Sequence, residues 1–211
     1  MGLIVVERER NEVGRLVVSR ETFDRLKTFE SSIVKWNPKI NLVSKSSLAD
    51  VWTRHIVDSV QVWEAARVGT NWFDLGSGGG FPGLVIAALM AEHSPGGKVT
   101  LVESDKRKSA FLRSAAREMS LDVTVISERI ESIPPAQADV LSARALADLS
   151  KLLAFVELHL APSGVAVFPK GESWKNEVDK ARQEWRFDLE SSTSWTEPRA
   201  AVLRITGVSR V

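Results

Sequence analysis

The sequence predicts an α/β protein with a Rossmann-like core, a seven-stranded sheet whose last strand runs antiparallel, preceded by N-terminal helices. Three observations carry this reading. Phe73-Asp74-Leu75-Gly76-Ser77-Gly78-Gly79-Gly80-Phe81-Pro82-Gly83 links an apolar run to a helix opening after Pro82, so a strand, a glycine turn and a helix follow one another. Glu103 closes the next apolar run, twenty residues beyond Gly83. The last two apolar runs, 187–189 and 201–205, have no clear helical pattern between them.

With 211 residues the chain can bury a good core as one large domain. The expected organisation is an N-terminal helical extension over 1–69 packed on a core over 70–211, together one globular unit. No run of 18 apolar residues occurs and no signal peptide precedes Glu7 and Glu9, so a soluble, cytoplasmic protein without a membrane is expected. Zero cysteines exclude disulfides, thiolate chemistry and cysteine-ligated zinc, and no metal site is expected. Zero tyrosines remove the Tyr acid of many small dehydrogenases. The net charge is only +1, so any affinity for nucleic acid has to come from local patches.

In chain order, residues 1–20 mix charge with Val and Leu without a period and read as a loosely packed lead-in. Phe23, Leu26, Phe29, Ile33 and Trp36 follow at helical spacing, and Asn37-Pro38 should end that helix. Lys35, Lys39 and Lys45 flank the next loop, either as solvated helix ends or as an RNA or partner surface. Ser47 with Asp50 resembles the cap of a second helix through Val51, Ile56, Val60 and Trp63. On it His55 lies one turn before Asp58 and Ser59, so a carboxylate can orient the imidazole, although a lone histidine on such a helix is more often a hydrogen-bonded structural residue. His93 and His159 have no such neighbours and read as incidental.

After the glycine loop, 84–89 is helical, 94–97 is a turn and 98–102 is the second strand. Asp105 opens a helix with Phe111, Leu112, Ala115 and Met119 inward. Lys106, Arg113 and Arg117 share its outer face with Lys108 close by, a stripe for solvent or for phosphates. Residues 121–126 form a third strand with 127–131 as its exit, and Pro134-Pro135 turns the chain. The strand 139–143 then delivers Arg144 to the carboxyl edge of the sheet, where ligands collect in open α/β folds. A helix over 149–160, a strand over 164–168 ending at Pro169-Lys170-Gly171 and a helix over 173–185 precede the last two strands. Trp36, Trp52 and Trp174 lie near the candidate RNA surfaces, but core packing is the expected role for most tryptophans.

The glycine loop alone leaves two cofactors open. Gly78, Gly80 and Gly83 spell the dinucleotide pattern GxGxxG, whereas Gly76, Gly78 and Gly80 spell GxGxG, which suggests S-adenosyl-L-methionine. In either case a β-carbon at Gly76, Gly78 or Gly80 would stand where a ligand lies against backbone, and the free N–H groups of the following helix face that ligand. Glu103 sits where a ribose-binding carboxylate belongs, and Glu131 follows the third strand where an adenine amino group can be met. An antiparallel closing strand fits the class I S-adenosyl-L-methionine methyltransferase sheet better than a second βαβ half, so methyl transfer is the better reading. The rivals are a methyltransferase for a small molecule or protein, a nicotinamide oxidoreductase, and a catalytically idle RNA-binding assembly factor.

Several blocks together are more specific. Asn41-Leu42, Arg54-His55-Ile56-Val57-Asp58-Ser59, the loop from Asp74 to Gly83, Glu103-Ser104 with Lys106-Arg107-Lys108 and Phe111-Leu112, Arg129-Ile130-Glu131, Ser142-Ala143-Arg144-Ala145 and Lys170-Gly171 resemble the bacterial 16S ribosomal RNA guanine-N7 methyltransferase family, RsmG or GidB. The likeness spans about 36–171. It implies methylation of guanine N7 at position 527 of 16S rRNA, in customary RNA numbering, within the 30S subunit or a precursor. By resemblance, Gly76, Phe81, Ile130, Glu131 and Arg144 fall on cofactor-binding positions, and Gly79 stands where the family often has Ala or Pro. Guanine N7 bears no proton, so no general base is obligatory. Arg144 and Lys170 are the candidates to meet guanine O6, with cofactor support as the rival role of Arg144, and His55 with Asp58 the candidates to shape the acceptor pocket. The protein is expected to act as a monomer.

Overall fold

The computed structural model describes residues 11–66 and 69–211. The first half of the lead-in, residues 1–10, lies outside the described residues. Its second half is ordered, contrary to a loose lead-in. Strands β1 (Asn11–Val13) and β2 (Leu16–Val18) form an antiparallel hairpin whose Val13 and Val18 are buried. Strands this short show too few alternations to reveal a period of two.

Helix α1 (Arg20–Ile40) is capped by Ser19 and buries Leu26, Phe29 and Ile33. It continues through Pro38 to a left-handed stop at Asn41, rather than ending at Asn37-Pro38. The reason is the buried Asn37, whose Oδ1 accepts from Leu42 N at 2.7 Å and Val43 N at 2.8 Å and so fixes the exit one turn later. The short helix α2 (Lys45–Leu48) is capped by Ser44, which also holds Ser47. The next helix opens instead at Asp50, whose Oδ1 accepts from Thr53 N at 3.2 Å. Its first part, Trp52–Val57, is a π-helix, and α3 (Asp58–Ala66) continues it. Apolar spacing does not distinguish that wider turn from an α-helix.

The seven strands of the main sheet are β3 (Asn71–Leu75), β4 (Lys98–Val102), β5 (Thr124–Ile126), β6 (Ala138–Ala143), β7 (Leu160–Lys170), β8 (Trp185–Thr193) and β9 (Ala201–Arg210). Their order is β5-β4-β3-β6-β7-β9-β8, with β9 antiparallel to both neighbours and the pairs from β5 to β7 parallel. This is the class I methyltransferase sheet. Helices α4 (Gly83–His93) and α5 (Lys106–Glu118) join α1 and α3 over one apolar core, with Phe29, Ile56, Leu84 and Phe111 in it. Helices α6 (Leu149–His159) and α7 (Trp174–Ala181) cover the other, with Leu153, Phe155, Val178 and Trp185.

Two boundaries differ from expectation for identifiable reasons. The third strand starts at Thr124, not at residue 121, because Leu121 N donates to Ala116 O and belongs to the helix exit. Helix α7 ends at Ala181, whereas the spacing of Val178, Ala181 and Trp185 imitates a helical stripe through residue 185. Trp185 is instead the buried first residue of β8, paired with Arg210.

Candidate active site

At the carboxyl ends of β3, β4 and β6 lies a cleft of about 390 Å³, within the range of about 300–1,000 Å³ usual for small-molecule sites. Gly76, Gly78, Phe81, Glu103, Ile130, Glu131 and Arg144 all line it. Gly78, at φ +52°, leaves its missing β-carbon in open space, 3.7 Å from Gly76 O and otherwise uncontacted, so bare backbone meets the cleft there. Glu103 closes β4 and is nearly buried. Its Oε2 accepts from Gly78 N at 2.9 Å and its Oε1 from Asp105 N at 2.7 Å, which fixes the carboxylate against the loop and leaves each oxygen a lone pair for a sugar hydroxyl.

Gly80 stands apart. A β-carbon there would lie 2.8 Å from Leu84 Cδ1 and 3.0 Å from Phe29 Cζ, so this glycine serves packing against the core and does not line the cleft. The start of α4 also differs from expectation. Gly83 N donates to the buried Asp74 Oδ2 at 3.3 Å, and Leu84 N to Gly80 O at 2.8 Å, so these N–H groups are capped internally instead of facing a ligand. Asp74 Oδ1 accepts from Ser142 Oγ at 2.7 Å, and Ser142 in turn accepts from Trp72 Nε1. Burial pushes the Asp74 carboxyl up to about 6, against hydrogen bonds that pull it down.

Glu131 is about half exposed and stands 3.8 Å from Lys151 Nζ. His159, read as incidental, is fully buried and its Nε2 meets Ile130 O at 3.1 Å, so it braces the cleft wall. Its lack of an acidic neighbour in sequence hid a partner contributed by the backbone.

Arg144, at the end of β6, is the corner between this cleft and a second cavity of about 560 Å³, which also shares Ala145. His55, Asp58, Arg144 and Lys170 line that second cavity together. Arg144 Nη2 donates to His55 Nδ1 at 2.7 Å, and Nη1 to Arg54 O at 3.3 Å and to Asp58 Oδ2 at 3.5 Å. Because an arginine can only donate, the His55 proton sits on Nε2. Asp58 therefore does not orient the imidazole directly, as its spacing suggested; the guanidinium stands between them. The other Asp58 oxygen accepts from Gln61 Nε2 at 2.9 Å and Thr196 Oγ1 at 2.8 Å, tying the β8–β9 loop to the same node.

Burial, then the charges of Arg144 and Arg54, push the His55 pKa down to about 3, so the ring is neutral near pH 7. It stacks on Phe81 with centroids 4.9 Å apart, and the Arg144 guanidinium lies 5.1 Å from the same ring. Lys170 is largely engaged: its Nζ is 2.6 Å from Glu177 Oε2 and donates to Ala147 O at 2.9 Å.

Residues 22–201 match the family model described as rRNA small subunit methyltransferase G, GidB. The chain is 60% identical over 196 residues, 93% of this chain and 96% of the other, to a ribosomal RNA small subunit methyltransferase G of Ruegeria sp.. It is 44% identical over 204 residues, 96% of this chain and 99% of the other, to the protein of the same name from Cereibacter sphaeroides. In fold it is similar to an O-methyltransferase from Bacillus cereus solved in complex with SAH, with a TM-score of 0.56 at 14% identity, covering 92% of this chain and 94% of that one.

Proposed function

The chain belongs to the rRNA small subunit methyltransferase G family, and from that premise we infer that it transfers a methyl group from S-adenosyl-L-methionine to guanine N7 in 16S ribosomal RNA. The nucleotide is position 527 in customary RNA numbering, and the substrate is the 30S subunit or a precursor, met by a monomer in the cytoplasm. One observation supports the reading above others: the small-molecule cleft and the second cavity meet at Arg144 and Ala145, so two ligands can be brought together at one corner.

The residues fit the donor. Gly78 offers bare backbone, Glu103 a fixed acceptor for ribose hydroxyls, Ile130 and Glu131 a wall and a carboxylate for an adenine. When bound, S-adenosyl-L-methionine supplies an electrophilic methyl group on a sulfonium sulfur. Guanine N7 would take that methyl with its own lone pair as the carbon–sulfur bond breaks and neutral S-adenosylhomocysteine is released; N7 carries no proton, so no side chain has to act as a base. The chain's task is alignment, and fixing two reactants in a near-attack geometry is worth about 7–11 kcal/mol.

Arg144 has N–H groups beyond those given to His55, Arg54 and Asp58, and one of them can donate to guanine O6 beside N7. Methylated guanine is a cation. A neutral His55 adds no positive charge next to it, and the Asp58 carboxylate balances the guanidinium. Lys170, held by Glu177 and Ala147, shapes the cavity floor more than it reads the base.

The test is transfer of label from S-adenosyl-L-methionine to unmodified 30S subunits, recovered after nuclease digestion as N7-methylguanosine. Arg144→Ala should fold normally and lose most transfer, roughly a hundredfold or more for a donor aimed at the reacting base. Unchanged turnover by this variant would reject the role of Arg144. Binding of NAD in preference to S-adenosyl-L-methionine would reject the cofactor.

A further inference from the structure

Two basic segments far apart in sequence are brought together beside the active site by the packing of α1 on α5. The helices run antiparallel. Arg25 Nε donates to Met119 O at 3.2 Å, Ser32 Oγ to Glu118 Oε2 at 2.6 Å, and the Trp36 and Phe111 rings lie 6.0 Å apart. One turn further along this antiparallel pair, helical spacing carries Lys39 at the end of α1 towards Lys106 and Arg107 at the start of α5. All three are exposed.

The charges along α1 are not treated alike. In its first half, Arg20, Arg25 and Lys27 each pair with a carboxylate of the same helix. Lys35 and Lys39 near its end, and Lys106, have no carboxylate within ion-pair distance among the described residues. The first turn of α5 holds three cations, Lys106, Arg107 and Lys108, against the sense of its helix dipole; the N-cap Asp105 stands 3.7 Å from Arg107 and leaves Lys106 without an ion-pair partner. Like charges gathered this way repel one another, and with a net charge of only +1 any affinity for nucleic acid has to come from a local patch such as this one. Beyond Lys39 the chain lines both cavities: Leu42 lines the small-molecule cleft, Lys45 is exposed, and Ser44 and Arg54 line the second cavity.

We propose that Lys35, Lys39, Lys45 and Lys106 form a cationic track that holds the phosphate backbone of the substrate RNA and leads it to the mouth of the second cavity. This rests on the rRNA methyltransferase reading and adds to it where the strand lies. The partner is RNA because unpaired, exposed lysines suit a repeating anion, and the track ends at the cavity that would take a base.

The test uses the whole protein with Lys39→Gln and Lys106→Gln, singly and together; neither residue belongs to the cleft or the cavity. Affinity for unmodified 30S subunits and for protein-free 16S rRNA is measured over a KCl series, alongside calorimetric titration with S-adenosylhomocysteine. Each lysine lost should lower the slope of log K against log salt by about 1, and KM for 30S subunits should rise while kcat and S-adenosylhomocysteine affinity hold. An unchanged slope and KM would overturn the track. So would a loss seen with 30S subunits but not with free rRNA, which would make the surface a contact for a ribosomal protein. If the unaltered protein transferred no methyl group to rRNA, the functional reading would fail, separately from either result.

Discussion

His55 looks in sequence like half of a histidine–carboxylate pair, and in the structure it is a neutral acceptor for Arg144. The spacing to Asp58 is legible from one turn of helix, but the guanidinium that comes between them arrives from β6, nearly ninety residues away, and no local pattern shows it. The same holds for Asp74, whose burial follows from the sheet register and not from its apolar neighbours. A pH prediction follows. With its pKa pushed down to about 3 against 6.5 in the unfolded chain, His55 stays neutral while the unfolded state takes up a proton, so stability falls as pH drops from about 6.5 towards 3. The slope is at most about 1.4 kcal/mol per pH unit, less because the ring is partly exposed. Asp74, pushed up to about 6, works the opposite way below that pH. His55→Gln keeps an acceptor for Arg144 and cannot titrate. Urea unfolding at pH 7 and pH 5 should therefore show the variant losing less stability than the unaltered protein; equal losses would mean that His55 is not held neutral.

At the scale of elements, the glycine loop was legible as a turn between strand and helix, but its glycines do different work. Gly78 opens onto the cleft, while a β-carbon at Gly83 would overlap Leu101 and stand 2.7 Å from Asp74 Oδ2. Gly78→Ala is expected to fold with a cost of about 1–3 kcal/mol from its left-handed backbone and to weaken S-adenosylhomocysteine binding. Gly83→Ala should lower the melting temperature more, by overpacking the junction of β3, β4 and α4. A calorimetric scan and a titration of both variants decide it; equal binding losses would show that the two positions share one role. The seven strands and the antiparallel last one were readable because strand and helix patterns alternate as far as α7 and no helical pattern separates the last two strands. The π-helix over Trp52–Val57 and the end of α7 were not, since a wider helical turn and a helix-to-strand change preserve the same apolar spacing.

For the whole molecule, residues before β3 reach into the ligand site. Phe29 of α1 is fully buried with its ring 4.8 Å from that of Phe81, and a β-carbon at Gly79 would lie 2.9 Å from Leu42 O. Phe29→Ala should therefore cost about 3–5 kcal/mol in urea unfolding and also weaken cofactor affinity, although Phe29 lines neither cavity. Full affinity in a destabilised variant would separate the extension from the site. Length and apolar pattern do not show that residues before β3 supply a wall of the second cavity, because that depends on where α3 and β6 converge. The account as a whole turns on one nucleotide. Unmodified 30S subunits incubated with the protein and labelled S-adenosyl-L-methionine, then mapped along the 16S RNA, should carry a single N7-methylguanine, at position 527. Label on a different nucleotide, or on no RNA at all, would contradict it.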